Sequence, residues 1–205
     1  MAQITDYATL KTAVADYIAR SDLSGFVPNF IQNAESTIYK TLRIRAMENA
    51  LSVTIANGVA AVPTSPVFVA LKYAYVATTP VQPLDRVPPD MIYARWPVRS
   101  GAEIPRDIAV AGSNFIFGPY PGNYTVEGIY YGRLAALSDS NTTNWFITYA
   151  PDLLLYGALM DAAPFLKDDA RIPVWQAFYQ RAYNAVKDEE VRQRSSGGSI
   201  ATRRA

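Results

Sequence analysis

The sequence contains no cysteine and no histidine among its 205 residues. Disulfides, thiolate-ligated zinc sites, cysteine nucleophiles and Ser-His-Asp triads are therefore excluded within this chain. The side chain that most often serves as a general base near neutral pH is absent too. The adjacent acids at 168–169 and 188–190 are more typical of helix capping and of a solvated helix face than of a metal site. We therefore predict that the protein is not an enzyme and has no catalytic residues, no metal and no cofactor.

Signals for export or membrane insertion are also missing. The first residues lack the basic and apolar stretches of a signal peptide. The longest strongly apolar stretch, residues 153–160, falls far short of the roughly 20 residues that a membrane span needs. These observations predict a soluble protein that has no membrane partner and is made in a cytoplasm.

Hydrophobic residues and tyrosine are plentiful instead. Half of the chain is hydrophobic and 18% is charged, which favours a folded domain over global disorder. The 14 tyrosines suit surfaces that are half buried and half solvated, as at subunit contacts. They also suit β-strands, so the two interpretations stay open.

Helical spacing of apolar residues appears at both ends of the chain. It predicts helices over about 7–18 and 26–45, then from 151 to about 165 and from Asp168 or Asp169 to about 194. Thr5 or Asp6 is placed to cap the first helix, and Pro28 lies in the first turn of the second. The helix from 151 has almost no polar face, which predicts a central position. Trp175 lies on an apolar stripe that runs on to Ala185 and Val186, which favours core packing.

The middle of the chain has the two-residue period of β-strands. Strands are predicted over 51–55, 59–62, 67–77, 107–111, 114–117 and 124–131, with a short helix from Pro88 to Trp96. Asn57-Gly58 predicts a tight turn that joins the first two strands as a hairpin. Pro80 and Pro83 restrict the segment between them to an edge strand or a loop.

The order of these elements predicts an α+β fold. The two N-terminal and two C-terminal helices would form an antiparallel bundle, because neither pair can bury its apolar stripe alone. The predicted parts are N-terminal helices (1–49), an inserted β-rich unit (50–136), C-terminal helices (137–194) and an extended tail (195–205).

The C-terminal tail is basic and poor in apolar residues. Arg192, Arg194, Arg203 and Arg204 follow Glu190 with no acid among them, and without these four the chain carries a small acidic excess. The segment 195–205 cannot order itself by burying apolar surface. Extended, it reaches roughly 36–40 Å. We therefore expect the tail to lie on a partner.

Three groups of short stretches carry a family resemblance. They are YATLK (7–11) with ADY (15–17) and RSD (20–22); FIFGPYP (115–121) with YY (130–131); and LSD (137–139), NW (144–145), APDL (150–153), YGAL (156–159), APFL (163–166), DD (168–169) and Trp175. In order and spacing the chain resembles bacteriophage head–tail adaptor (connector) proteins, the group that contains tail tubular protein A of short-tailed phages.

That resemblance implies a structural virion protein at the head–tail interface. It implies a homo-oligomeric ring, a dodecamer, below the portal protein, with a tail nozzle or tail tube protein on the opposite face. Genomic DNA would pass through the lumen without specific binding. The resemblance also implies portal contact through the tail, at Arg192, Arg194, Ser195, Ile200, Arg203 and Arg204.

Other interpretations remain open at this stage. The basic tail could instead be solvated or bind DNA. Trp145, which precedes the central helix, suits core packing and contact between ring subunits equally, the latter together with Tyr149. A virion-associated peptidoglycan-degrading enzyme would need two facing carboxylates, which cannot be assigned among Glu35, Glu48, Glu103 and Glu127. A nucleic-acid-binding module is the third alternative.

Overall fold

The computed structural model describes residues 3–166 and 170–195, and of residues 194 and 195 only the backbone. It is a mixed α+β structure, as predicted. The described helices are α1 (Tyr7–Ile18), α2 (Val27–Thr41), α3 (Pro89–Arg95), α4 (Trp145–Tyr149), α5 (Pro151–Ala162) and α6 (Ile172–Ser195). The strands are β1 (Glu48–Thr54), β2 (Val59–Ala61), β3 (Phe68–Val76), β4 (Gln82–Pro83), β5 (Asp85–Arg86), β6 (Asp107–Ala111), β7 (Asn114–Gly118) and β8 (Thr125–Gly132).

The chain divides into two units, each with its own set of contacts. The helical unit comprises the described residues up to Ala46 and from Leu134 onward, and the β unit is Met47–Arg133. None of the described helices is long and apolar enough to cross a membrane.

Helix α1 begins at a capping box. The Asp6 carboxylate accepts the Thr9 N–H at 2.8 Å, and the Thr9 hydroxyl accepts the Asp6 N–H at 3.0 Å. Two backbone donors of the first turn are thereby satisfied. The predicted cap at Asp6 is confirmed. The helix ends at Ala19, which adopts the left-handed conformation with φ 53°.

Helix α2 is shorter than the sequence predicts. Pro28 lies in its first turn, as expected, but the helix ends at Thr41 and not near Arg45. Leu42 is already extended, with φ −109° and ψ 141°. Leu42 and Ile44 are both buried, and their two-residue spacing suits an extended chain, in which alternate side chains share a face. The apolar residues after Thr41 are therefore buried in an extended conformation and not as part of the helix.

Helix α5 is the centre of the helical unit. It contacts α1, α2 and α6, and its buried residues are Leu153, Leu154, Leu155, Gly157, Ala158, Leu159 and Ala162. The central position predicted from the missing polar face is confirmed. The helix ends at Ala162 and not at Phe165, because Pro164 lacks the N–H that would continue it. Helix α4 was not predicted, since five residues are too few to show a helical period.

Helix α6 begins at Ile172, with Pro173 in its first turn. The predicted start at Asp168 or Asp169 was too early, because residues 170 and 171 form a turn. Asp168 and Asp169, the predicted cap, lie outside the described residues. Trp175 is buried, which confirms its core position, whereas Ala185 is exposed and Val186 only half buried. Glu190, predicted on a solvated face, is 7% exposed. That prediction was wrong, because the Glu190 carboxylate accepts a hydrogen bond from the backbone N–H of Arg45.

The β unit contains two four-stranded sheets with the orders β1-β8-β3-β4 and β2-β7-β6-β5. All pairs are antiparallel except β5–β6. The two sheets share one apolar core: Leu51, Ile55, Ala60, Leu71, Ala74, Val76, Leu84, Ile108, Phe115, Phe117, Val126 and Tyr130. The short edge strand between Pro80 and Pro83 and the helix after Pro88 are confirmed as β4 and α3.

The Asn57-Gly58 turn forms, but the hairpin does not. Both residues have positive φ, 52° and 78°, and Ala56 and Val59 exchange backbone hydrogen bonds of 2.8 and 3.1 Å. Beyond this bridge the strands separate, because β1 pairs over seven residues with β8 while β2 pairs with β7. Each of the two strands is therefore the edge strand of its own sheet, paired along one side only.

Candidate interaction surface

A groove of about 540 Å³ crosses the helical unit between α4, the start of α5 and the C-terminal half of α6. It is lined by Arg45, Ala46, Trp145, Tyr149, Ala150, Asp152, Ala182, Ala185, Val186, Glu189, Glu190 and Gln193. Trp145 and Tyr149, the two residues proposed for ring contact, therefore lie in one continuous surface feature.

Helix α4 supplies the aromatic wall of the groove. Asn144 caps it, because its side-chain oxygen accepts the Ile147 N–H at 3.2 Å. The rings of Trp145 and Tyr149 lie 5.4 Å apart and tilted by 33°. Trp145 is half buried and also packs edge-on against the buried Phe146. Tyr149 is 70% exposed, an unusual position for a large aromatic residue.

A buried carboxylate positions this wall from below. Glu35 of α2 is 3% exposed and accepts the Asn144 side-chain amide at 2.9 Å. It also accepts the Leu137 N–H at 3.3 Å. Burial raises the pKa of Glu35 above its ordinary value, and the hydrogen bonds from Leu137 and Asn144 oppose that rise. Glu35 therefore connects α2 to the segment before α4 and to the cap of α4.

A second part of the groove lining, here called the acidic wall, consists of Asp152, Glu189 and Glu190. Glu190 accepts the backbone N–H of Arg45 at 3.1 Å, which accounts for its burial. Glu189 and Asp152 are exposed, and Glu189 accepts the Gln193 amide at 2.8 Å. Among the described residues that line the groove, three carry a carboxylate and Arg45 carries the one guanidinium.

The residues predicted for portal contact are only partly described. Arg192 is an exposed residue of α6. Arg194 and Ser195 belong to the same helix, so the extended tail predicted from Ser195 starts no earlier than residue 196. Ile200, Arg203 and Arg204 lie outside the described residues. The structure therefore brings together Trp145 and Tyr149 but does not test the tail.

The carboxylates considered for hydrolysis have other roles or surroundings. Glu35 holds the α4 cap, Glu48 pairs with Lys72 at 2.7 Å, and Glu127 accepts the Tyr75 hydroxyl at 3.0 Å. Glu103 is exposed. Within the described ranges no group of three or more acidic residues could hold a metal ion.

Sequence reasoning missed Glu35, Asn144 and Glu190 as organisers of this surface. Signals existed for two of them. Glu35 interrupts the apolar stripe of α2 next to Ile31 and Ile38, where an acid must be buried. Asn144 stands three residues before Ile147, the spacing of an N-cap. Glu190 gave no such signal, because its partner is a backbone group 145 positions away.

Comparison with known proteins identifies the family. The family model described as SU10 adaptor protein matches residues 5–203. No curated protein matches the chain. Because the family match covers nearly the entire sequence, the protein belongs to the SU10 adaptor protein family, in agreement with its resemblance to phage head–tail adaptors.

Proposed function

We propose that the protein is a ring subunit that links the portal vertex of a phage head to the tail. Its lumen would form part of the channel through which DNA is ejected, without specific binding to the DNA. Following the resemblance, the ring is a dodecamer, with the portal protein on one face and a tail nozzle or tail tube protein on the other. The subunit is made in the host cytoplasm and becomes part of the virion. Membership of an adaptor family supports this role.

The observation that carries the proposal is the exposed aromatic wall of the groove. Tyr149 is 70% exposed beside Trp145, whose ring packs on buried Phe146. Aromatic residues are enriched in the cores of protein interfaces, where they bury a large area at low entropic cost. A solvent-facing Trp–Tyr pair on a fixed base suits contact with a neighbouring subunit.

The architecture in this proposal retains the predicted four parts. The helices before and after the β unit form an antiparallel bundle, the β unit Met47–Arg133 lies between them in the sequence, and the chain after Ser195 is an extended tail. Contacts of the central α5 with α1, α2 and α6 support the bundle.

Portal contact is assigned to the C-terminal segment. Arg192, Arg194, Ser195, Ile200, Arg203 and Arg204 would bind the portal, with arginines pairing to acidic groups and Ile200 filling an apolar site. The composition of residues 196–205 supports this assignment, since a segment so poor in apolar residues needs a partner to become ordered.

Assembly with the portal protein tests the ring. The purified subunit is mixed with portal and observed by native mass spectrometry and negative-stain microscopy. We expect a ring of fixed stoichiometry on the portal. A mixture without defined stoichiometry would contradict the proposed function.

Two tyrosine variants test the contact surface. Tyr149→Ala should weaken assembly by about tenfold or more, as at an interface hot spot. Tyr93→Ala, which removes a tyrosine that is 53% exposed on α3, is the matched control and should assemble normally. Equal assembly of the two variants would remove Trp145 and Tyr149 from the ring contact.

Deletion of residues 195–205 tests the tail separately. It should weaken portal binding while the circular dichroism signal of the helices is preserved. Unchanged portal binding would refute the assignment of the tail.

A further inference from the structure

The groove combines an aromatic wall, an acidic wall and an open approach from the end of α6. Gln193, two residues before the end of α6, is itself a lining residue. The chain that follows α6 therefore leaves the helix beside the groove.

The residues that follow α6 complement this groove in chemistry. The segment 196–205 reads SGGSIATRRA and contains no acid. Ile200 is its single large apolar residue, and Arg203 and Arg204 are its two charges. The groove offers Trp145 and Tyr149 to an apolar side chain, and Asp152 and Glu189, both exposed, to arginine. Arginine also binds favourably over tryptophan and tyrosine rings.

The lengths are compatible as well. The α6 wall runs from Ala182 to Gln193, about 17 Å at the rise of an α-helix. Ten extended residues span roughly 33 Å, so a segment that reverses direction after α6 covers the whole groove. Gly197 and Gly198 allow such a reversal, since glycine reaches backbone conformations that other residues avoid.

We infer that residues 199–205 bind in the groove of the same chain before the portal is present. Ile200 packs against Trp145 and Tyr149, and Arg203 and Arg204 pair with Asp152 and Glu189. The free subunit would then cover with its own tail the surface that contacts the next subunit. This last consequence rests on the proposed function, whereas the docking itself does not.

Disulfide trapping tests the docking in the full-length chain without portal. Because the natural sequence has no cysteine, an introduced pair reports only its own contact. Ala185→Cys places one thiol at an exposed position of the groove. Thr202→Cys places the other in the tail, four residues after Gly198, so that a segment folding back along α6 brings it near Ala185 and Ile200 is kept. We expect an intramolecular disulfide in dilute, mildly oxidising solution.

Asn184→Cys with Thr202→Cys is the matched control. Asn184 is exposed and adjacent to Ala185 but does not line the groove. An unattached tail would reach both positions equally, since the effective concentration of the two thiols depends on tether length. Docking predicts that the Ala185 pair forms about ten times faster than the control. Equal rates overturn the inference, and links between two chains overturn it in favour of the tail of a second copy.

Charge reversal supplies a second readout. Adding Arg203→Glu and Arg204→Glu to the Ala185 pair should slow its disulfide formation to the rate of the control pair. Adding Asp152→Lys and Glu189→Lys to that variant should restore the faster disulfide formation, because attraction between opposite charges is re-established. If the first change leaves the rate of disulfide formation unaffected, or the second does not restore it, the assigned arginine contacts are contradicted.

Discussion

The side-chain amide of Asn144 donates a 2.9 Å hydrogen bond to the carboxylate of Glu35, which is buried on helix α2. The same Asn144 side chain caps α4 through its oxygen. One residue therefore connects a buried acid to the helix that presents Trp145 and Tyr149. The position of the proposed contact surface therefore depends on the hydrogen bond between Asn144 and the buried Glu35.

The buried Glu35 makes stability depend on pH. Burial raises its pKa in the folded protein above the ordinary value of 4.5, so folding favours the protonated acid. Its contribution to the free energy of unfolding is largest below about pH 4.5 and declines as pH rises through the raised pKa. Glu35→Gln removes this titration. We expect the stability of the Gln variant, relative to the natural protein, to increase between pH 4.5 and neutral pH in urea unfolding.

Glu189→Gln is the control for this measurement, because Glu189 is exposed on α6. Its stability difference from the natural protein should stay nearly constant over the same pH range. A Glu35→Gln difference that falls as pH rises would show that Glu35 is stabilised as the anion.

Asn144→Ala should destabilise the protein by about 1–3 kcal/mol, because it removes a helix cap and one of the hydrogen bonds that the buried Glu35 carboxylate accepts. Asn144→Ser keeps an oxygen that can cap α4 but cannot reach Glu35 in the same way. We expect Asn144→Ser to fall between the natural protein and Asn144→Ala in denaturant unfolding. A serine variant as unstable as the alanine variant would assign the entire effect to the Glu35 contact.

Gly157 marks the close approach of α5 to α2. A Cβ placed there would lie 3.0 Å from the Cβ of Ala34 and 3.4 Å from the ring of Tyr179. Gly157→Val should therefore cost about 1–3 kcal/mol, since the helices would have to separate. Ala8→Val, at an exposed position of α1, should change stability by less than about 0.5 kcal/mol. Similar unfolding free energies for both variants would contradict close packing at Gly157.

Gly128 is required where β8 passes the irregular strand β3. The register between β3 and β8 shifts at Leu71/Tyr73, and a Cβ at Gly128 would overlap the carbonyl oxygen of Tyr73. Because backbone cannot move aside as a flexible side chain does, Gly128→Ala should cost at least about 2–3 kcal/mol. Gly25→Ala, where a Cβ meets nothing within 4 Å, is the control. A melting temperature for Gly128→Ala that equals the control would refute this account.

Most elements could be predicted because their signals are local. The apolar periods of α1 and α5, the cap at Asp6 and the positive-φ turn at Asn57-Gly58 depend on residues a few positions apart. The end of α2 and the helix α4 could not be predicted in the same way. Leu42 continues the apolar stripe equally well in either conformation, and α4 has only five residues.

The candidate surface was predictable only in its aromatic residues. Trp145 and Tyr149 are recognisable as large aromatic side chains just before the predicted central helix. The acidic wall consists of residues of α5 and α6. No local sequence pattern predicts that Asp152 and Glu189 line the same groove. The buried partner of Glu190 is likewise a backbone group from another part of the chain.

The sequence by itself determined the fold class, the absence of cysteine and histidine chemistry and the family, because composition and short-range order carry that information. Tertiary structure alone decided that β1 and β2 enter different sheets, since their partners β8 and β7 come from much later in the chain. It also decided that Glu35 is buried beneath the Trp145–Tyr149 wall. Burial and charge pairing depend on residues more than a hundred positions apart, which meet only when the chain folds.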